Sequence, residues 1–296
     1  MITIEKLKIN ADISLANLTT LKIGGRSEWF AEPKNFNELK ILLRWVKEKK
    51  IELRVFGAGS NLLINDYELP GLSISTRKLN GSKIDDTQGT IRAMSGETLP
   101  KLARKAANAG LHGLEWAIGI PGTVGGAAVM NAGAQGSCMA EKIISVEVAP
   151  LSGGNSFHLK NEELNFSYRN SLLQKEDLMV LSTYFQLEPG YSKEEICRAT
   201  KENLMKRTST QPYHLPSCGS VFRNPEPLKA GELIESVGLK GKRIGGAEIS
   251  KMHANFIVNY SNATASDFKE LISLIQTKVK DKYGFLLHTE VKELGF

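Results

Sequence analysis

Cysteine is scarce in this chain of 296 residues: Cys138, Cys197 and Cys218 are odd in number and lack metal-ligand spacing. They read as free thiols of a reducing compartment, which excludes a disulfide framework. The five histidines are scattered, with no HExxH and no clustered Cys/His set, so no metal centre is expected. No apolar run approaches the length that crosses a bilayer. The opening MITIEKLKINADIS has neither the basic nor the apolar region of a secretory signal, and a cytoplasmic protein is expected. Charge of one sign does not accumulate either: 38 Lys and Arg against 32 Asp and Glu give a net +6 that is spread along the chain. A nucleic-acid binder concentrates such charge and interleaves aromatics. Dispersed, it favours small anions such as nucleotides and carboxylates.

What is present is an ordinary globular composition, 41% hydrophobic and 24% charged, long enough for two or three domains. Asn35 with Glu38 signals a helix start, and Phe36, Leu39, Leu43 and Val46 then share one face. The strand LRVF (53–56) runs straight into GAGSN. From about Tyr67 the texture changes to short strands, LSIST, TIRAMS, IISVEVA and VLSTYFQL, interrupted by a helix from Leu99 to Asn108. A third region starts near Tyr191, where Ser192 and Glu195 cap a helix running to about Arg207. It closes with the strand NFIVNY (255–260) and a long helix from Thr264 that buries Phe268, Leu271, Ile272, Ile275 and Val279. The chain reads as α+β, in regions 1–66, 67–190 and 191–296.

Glycine is where the sequence is unusual. GIPGTVGGAAVMNAGAQG (119–136) carries six glycines. Residues without a Cβ allow close backbone approach, so exposed N–H groups can cradle a pyrophosphate. A tightly packed turn needs small residues too, and both readings stand. GAGSN (57–61) follows a strand but lacks the third glycine and the βαβ context of a dinucleotide fold. Two such loops, with IGG (23–25) as a third, point to one extended phosphate ligand. Among side chains, Arg169 in NFSYRNS suits a carboxylate or phosphate. Ser220 in SCGSVFRNP reads by itself as a turn serine, and Glu290 as a solvated carboxylate.

Together these segments resemble the UDP-N-acetylenolpyruvoylglucosamine reductase family, the MurB enzymes of peptidoglycan precursor synthesis. The resemblance is carried by NLTTLKIGG (17–25), GAGSNLL (57–63), IPGTVGGAAVMNAGA (120–134), SYRNS (167–171), PSCGSVFRNP (216–225), AGELIESVGLKGKRIGGAEIS (230–250), HANFIVN (253–259) and TEV (289–291). It implies a two-subdomain FAD-binding fold of the vanillyl-alcohol-oxidase (PCMH) type with a C-terminal substrate-binding domain. The connection 172–191 is too short for the additional loop of the longer enzymes, which places the chain with the type II branch.

The resemblance further implies FAD as cofactor, NADPH as hydride donor and UDP-N-acetylglucosamine enolpyruvate as substrate. Cofactor contacts would come from Ile23, Gly24, Gly57, Ala58, Gly59, Ser60, Asn61 and Leu62. The long glycine stretch would add Gly119, Pro121, Gly122, Thr123, Gly125, Gly126, Asn131, Ala132 and Gly133. Arg169, Ser220 and Glu290 match the catalytic positions, with Ser220 as proton donor to C2; Tyr168, Asn224 and Arg207 are substrate-binding candidates. Arg223 stands where many relatives carry Lys, and His253 and Asn255 either line the cleft or are structural. A monomer is expected, with neither nucleic acid nor membrane as partner. The alternatives are another flavin oxidoreductase of the same fold, which would tether its cofactor through histidine or cysteine, and a non-catalytic nucleotide binder.

Overall fold

The computed structural model describes residues 8–296. Their contacts gather into two compact units. One comprises the chain up to Ala11 with Trp29–Ala58 and Pro70–Arg207; the other comprises Asp12–Glu28, Gly59–Leu69 and Thr208–Phe296.

In the first unit, helix α1 (Phe36–Lys49) begins where the Asn35 side chain accepts the Glu38 N–H, and it ends on Lys50 in the left-handed region. Its apolar face buries Leu39, Leu42, Leu43, Trp45 and Val46, each such side chain contributing roughly 1.5–3 kcal/mol. The strand Leu53–Phe56 that follows pairs in parallel with 72–75, Leu53 lying opposite Leu72. A second sheet is wholly antiparallel, in the order Phe157–Lys160, Ile143–Pro150, Leu178–Gln186, Thr90–Met94, Ser82–Asp85. Helix α2 (Leu99–Asn108) joins Leu99, Leu102 and Ala106 to Ile91, Val146, Val180 and Phe185 of that sheet in one core. Short helix α3 (Val124–Val129) lies within the glycine stretch, and α4 (Lys193–Thr210) starts behind Ser192, whose hydroxyl accepts the Glu195 N–H.

The second unit is built around α5 (Ala230–Ser236) and α6 (Ala265–Tyr283). Phe268, Leu271, Ile272, Ile275 and Val279 of α6 share a core with Leu233, Ile234, Ile249, Ile257, Phe222 and Val291. An antiparallel sheet runs Arg243–Ile244, Ala247–Ile249, Ile257–Asn259, and the late strand Lys292–Leu294 pairs in parallel with Leu62–Ile64. The strand expected over 255–260 shrinks to three residues. Asn255 turns inward to bond Phe222, and the Tyr260 N–H is taken by the Gly246 carbonyl.

The start of α6 is a reciprocal cap: the Thr264 hydroxyl accepts the Asp267 N–H, and the Asp267 carboxylate accepts the N–H groups of Thr264 and Gly246, all at 3.0 Å. Thr264→Ala is expected to cost about 1 kcal/mol, read as a lower Tm. Burial alone would raise the Asp267 carboxyl; the Thr264 and Gly246 N–H groups and the Thr264 hydroxyl outweigh it and hold the group below its ordinary value. A lowered folded-state pKa stabilises above the ordinary value and the contribution fades as pH falls through the folded value. Asp267→Asn and the parent protein should therefore approach each other in Tm on acidification.

Candidate active site

The glycine stretch of the first unit is held in place by its own backbone. Val124 and Gly125 donate to the carbonyls of Glu97 and Ser95 at 2.8 and 2.9 Å. A Cβ on Gly57 would lie 2.2 Å from Thr123 Oγ1, and one on Gly133 would lie 2.6 Å from the Ser137 carbonyl oxygen. Those two glycines answer to packing inside the loops, as the turn reading required. The ligand reading is served elsewhere. The N–H groups of Gly122 and Thr123 meet no acceptor among the described residues. Gly126 is exposed, and a Cβ there would make only ordinary contact, 3.5 Å from Thr123 Oγ1. Backbone donors left without a protein acceptor, beside an exposed glycine, fit a pyrophosphate-bearing group such as FAD.

Against this stretch sits a two-residue hairpin. Ser167 and Asn170 exchange N–H···O bonds of 3.1 and 3.0 Å, which turns the chain at Tyr168 and Arg169, the latter at φ 55°. Arg169 donates to the Gly133 carbonyl at 2.9 Å and lies 5.0 Å from the exposed Tyr168 ring. Asn131 is 5% exposed, and its amide is committed to the Ser167 carbonyl and the Ala140 N–H. Gln174, which the sequence did not single out, bonds the carbonyls of Val129 and Arg169 at 3.0 and 3.1 Å. The hairpin and the glycine stretch are thus one braced piece, with a guanidinium at its edge. Arg207 lies on α4, half-buried.

In the second unit Ser220 and Glu290, seventy residues apart, are drawn together by main-chain bonds. The Val221 carbonyl accepts the Glu290 N–H at 2.8 Å, Phe222 pairs with Thr289, and the Arg223 N–H donates to the His288 carbonyl. Asn61 ties in the second glycine loop: its amide donates to the Glu290 carbonyl at 3.1 Å, and its carbonyl accepts the Lys292 N–H. Ile23 is buried in the core, and the Gly59 carbonyl accepts the Thr20 N–H, so contacts to a cofactor from these two would use main-chain atoms. Asn224 caps the start of α5 through the Ala230 N–H.

Of two cationic side chains near this pair, Arg223 was noted in the sequence and Lys292 was not. The Arg223 Nε is buried with no acceptor among the described residues. Lys292 is pushed below its usual value by burial and then by the Arg223 charge. Two cations left facing each other favour an anionic ligand. The only sequence signal for Lys292 is its place two residues after Glu290. Cys218, by contrast, is fully buried, and its thiol is pushed up to about 12 by that burial with the Glu290 charge adding to it. It is no nucleophile at neutral pH. No helix among the described residues is long and apolar enough to cross a membrane.

Comparison with known proteins gives two family matches: an FAD binding domain over residues 28–159, and the C-terminal domain of UDP-N-acetylenolpyruvoylglucosamine reductase over 211–294. A UDP-N-acetylenolpyruvoylglucosamine reductase of Prochlorococcus marinus is 57% identical over 99% of this chain and 95% of its own length. One from a Synechococcus species is 58% identical over 96% of this chain and 95% of its own. Among solved structures, the UDP-N-acetylenolpyruvylglucosamine reductase (MurB) of Thermus caldophilus superposes with a TM-score of 0.82 at 35% identity, covering 97% of this chain and 99% of that one.

Proposed function

This chain belongs to the UDP-N-acetylenolpyruvoylglucosamine reductase family, and we propose that it reduces the enolpyruvyl ether of UDP-N-acetylglucosamine to UDP-N-acetylmuramate in the cytoplasm. Its cofactor is FAD and its reductant NADPH. Residues 1–66 and 67–190 would form the two cofactor-binding subdomains and 191–296 the substrate-binding domain. Bound FAD supplies the hydride that reaches C3 of the enolpyruvyl group. Everything else falls to side chains of this chain.

As C3 gains hydride, negative charge grows on C2 and the adjoining carboxylate. Arg169 stabilises that charge, and a guanidinium does so best where water is excluded. Ser220 delivers the proton to C2, completing the addition of H⁻ and H⁺ across the double bond. A serine hydroxyl is a weak acid in water, and it serves here because the carbanion is far more basic. Glu290 acts in its protonated form, donating a hydrogen bond to the enolate; proximity to a carboxylate favours that form. Tyr168, Asn224 and Arg207 contribute substrate contacts. Arg223 and Lys292 supply positive charge for the anionic ligand.

The single observation that best supports this reading is the bond from the Glu290 N–H to the Val221 carbonyl. It puts a hydroxyl and a carboxyl, each unremarkable alone, on adjacent backbone. The test is spectroscopic. Purified protein should be yellow, bleach on anaerobic addition of NADPH, and recover its absorbance when the enolpyruvyl sugar nucleotide follows. A colourless protein that takes up no FAD, or bleaching reversed only by oxygen, would overturn the assignment.

A further inference from the structure

Asn255 is 3% exposed, and its side-chain amide is used both as donor and as acceptor. The Phe222 N–H donates to Asn255 Oδ1 at 2.9 Å, and Asn255 Nδ2 donates to the Phe222 carbonyl at 2.8 Å. The side chain thus pairs with one residue's main chain as a neighbouring strand would. The Asn255 carbonyl also takes the Val221 N–H at 2.8 Å. On the opposite side, the Val221 carbonyl receives the N–H groups of Glu290 and Val291 at 2.8 and 3.5 Å. The backbone that follows Ser220 is therefore clamped from two directions, by Asn255 on one and by the Glu290 segment on the other. His253 Nδ1 accepts the Asn255 N–H at 3.2 Å, which steadies the clamp from behind.

We propose that Asn255 is a positioning residue for the reaction, fixing Ser220 and Glu290 in register through the main chain of Val221 and Phe222. The chemistry of the side chain supports the choice. A buried amide is tolerated only when its donor and acceptor are both satisfied. The asparagine amide presents a donor and an acceptor in one plane at the right reach; an ionised carboxylate in the same place repels the Phe222 carbonyl, and glutamine is a methylene too long. Misplacement of a reacting group by about 1 Å costs on the order of 100-fold in rate.

The proposal rests on the role given to Ser220, and the experiment separates the two. Holoenzyme carrying Asn255→Asp should keep its FAD absorbance and be bleached by NADPH within about threefold of the parent rate, while reoxidation by the enolpyruvyl substrate slows about 100-fold. Amide hydrogen exchange at Val221, Phe222 and Glu290 should rise while exchange in α6 stays unchanged. The double variant Ser220→Ala/Asn255→Asp should lose clearly less than the product of the two single losses, because the share of Asn255's effect that acts through Ser220 has nothing left to position while the share through Glu290 remains. If the buried carboxylate keeps Asn255→Asp from folding, Asn255→Ser, able to make only one of the two bonds, carries the same expectations. Reoxidation near the parent rate, full additivity in the double variant, or equal loss of both half-reactions would each overturn the proposal. Parental turnover by Ser220→Ala alone would instead remove the proton donor itself and the proposal with it.

Discussion

Ser220→Ala is expected to leave reduction of bound flavin by NADPH intact and to slow reoxidation by the enolpyruvyl substrate about 10³-fold or more. Hydride addition to C3 without a proton for C2 leaves a carbanion with no outlet. Alanine removes only the hydroxyl; the clamp on Val221 and Phe222 is main-chain and stays. Cys218 lies two residues away, but its thiol is sealed in the core and cannot reach the substrate as a replacement donor. Anaerobic stopped-flow absorbance separates the half-reactions. Turnover by Ser220→Ala within a few-fold of parent would sink the assignment. Ser220→Cys, which keeps a transferable proton in the same place, should recover part of the loss.

Gly25→Ala is expected to destabilise the fold by about 3 kcal/mol or more, because nothing around it can yield cheaply. Its Cβ would fall 2.0 Å from the Tyr67 carbonyl oxygen and 2.6 Å from that of Asp66. That backbone is tied on several sides. The Gly25 N–H donates to Asn65 at 2.7 Å, the Asn65 N–H to Leu294, and the Asp66 carboxylate takes the Ala265 N–H at the start of α6. A drop in Tm of roughly 6 °C or more should follow. Gly126→Ala is the contrasting case. Gly126 sits in α3 with room for a methyl, and alanine there should stabilise the apoprotein by about 0.4–1 kcal/mol. If the cofactor approaches this stretch, the same methyl should weaken FAD retention. Unchanged Tm in Gly25→Ala would mean that residues 66–67 shift easily. Stable Gly126→Ala with undiminished FAD affinity would move the cofactor away from this face.

The two substitutions also mark how far the sequence could be read. Helix ends were legible where the signal is local: the starts at Asn35 with Glu38 and at Thr264, and the span Leu99 to Asn108, all fall where capping and period put them. Glycine was legible as a constraint but ambiguous as to its object. Gly25 and Gly57 face protein, Gly126 does not, and composition cannot tell them apart. Ser220 and Glu290 were legible only through family resemblance, since each alone reads as a surface residue. Asn255 was noted only as lining the cleft or structural, and Lys292 not at all, for another reason. Their partners lie 33 and more than 200 residues away, and strands of three residues such as Leu62–Ile64 and Lys292–Leu294 are too short to show a period.

The path of the chain through its second unit has a consequence for synthesis on the ribosome. That unit is assembled from Asp12–Glu28, Gly59–Leu69 and Thr208–Phe296. Its first two pieces emerge early and have no completed core to join. At ordinary elongation speeds, making the stretch after Arg207 takes roughly 4–18 s. For that interval Leu21, Ile23 and Leu63, all destined for the interior, are without their partners on α6. The parallel strand Lys292–Leu294, which pairs with Leu62–Ile64, is made 230 residues after it. A message cut short before Lys292 would yield a chain whose Asn61 loop is never closed. Such products are expected to be chaperone and protease clients, however complete their first unit.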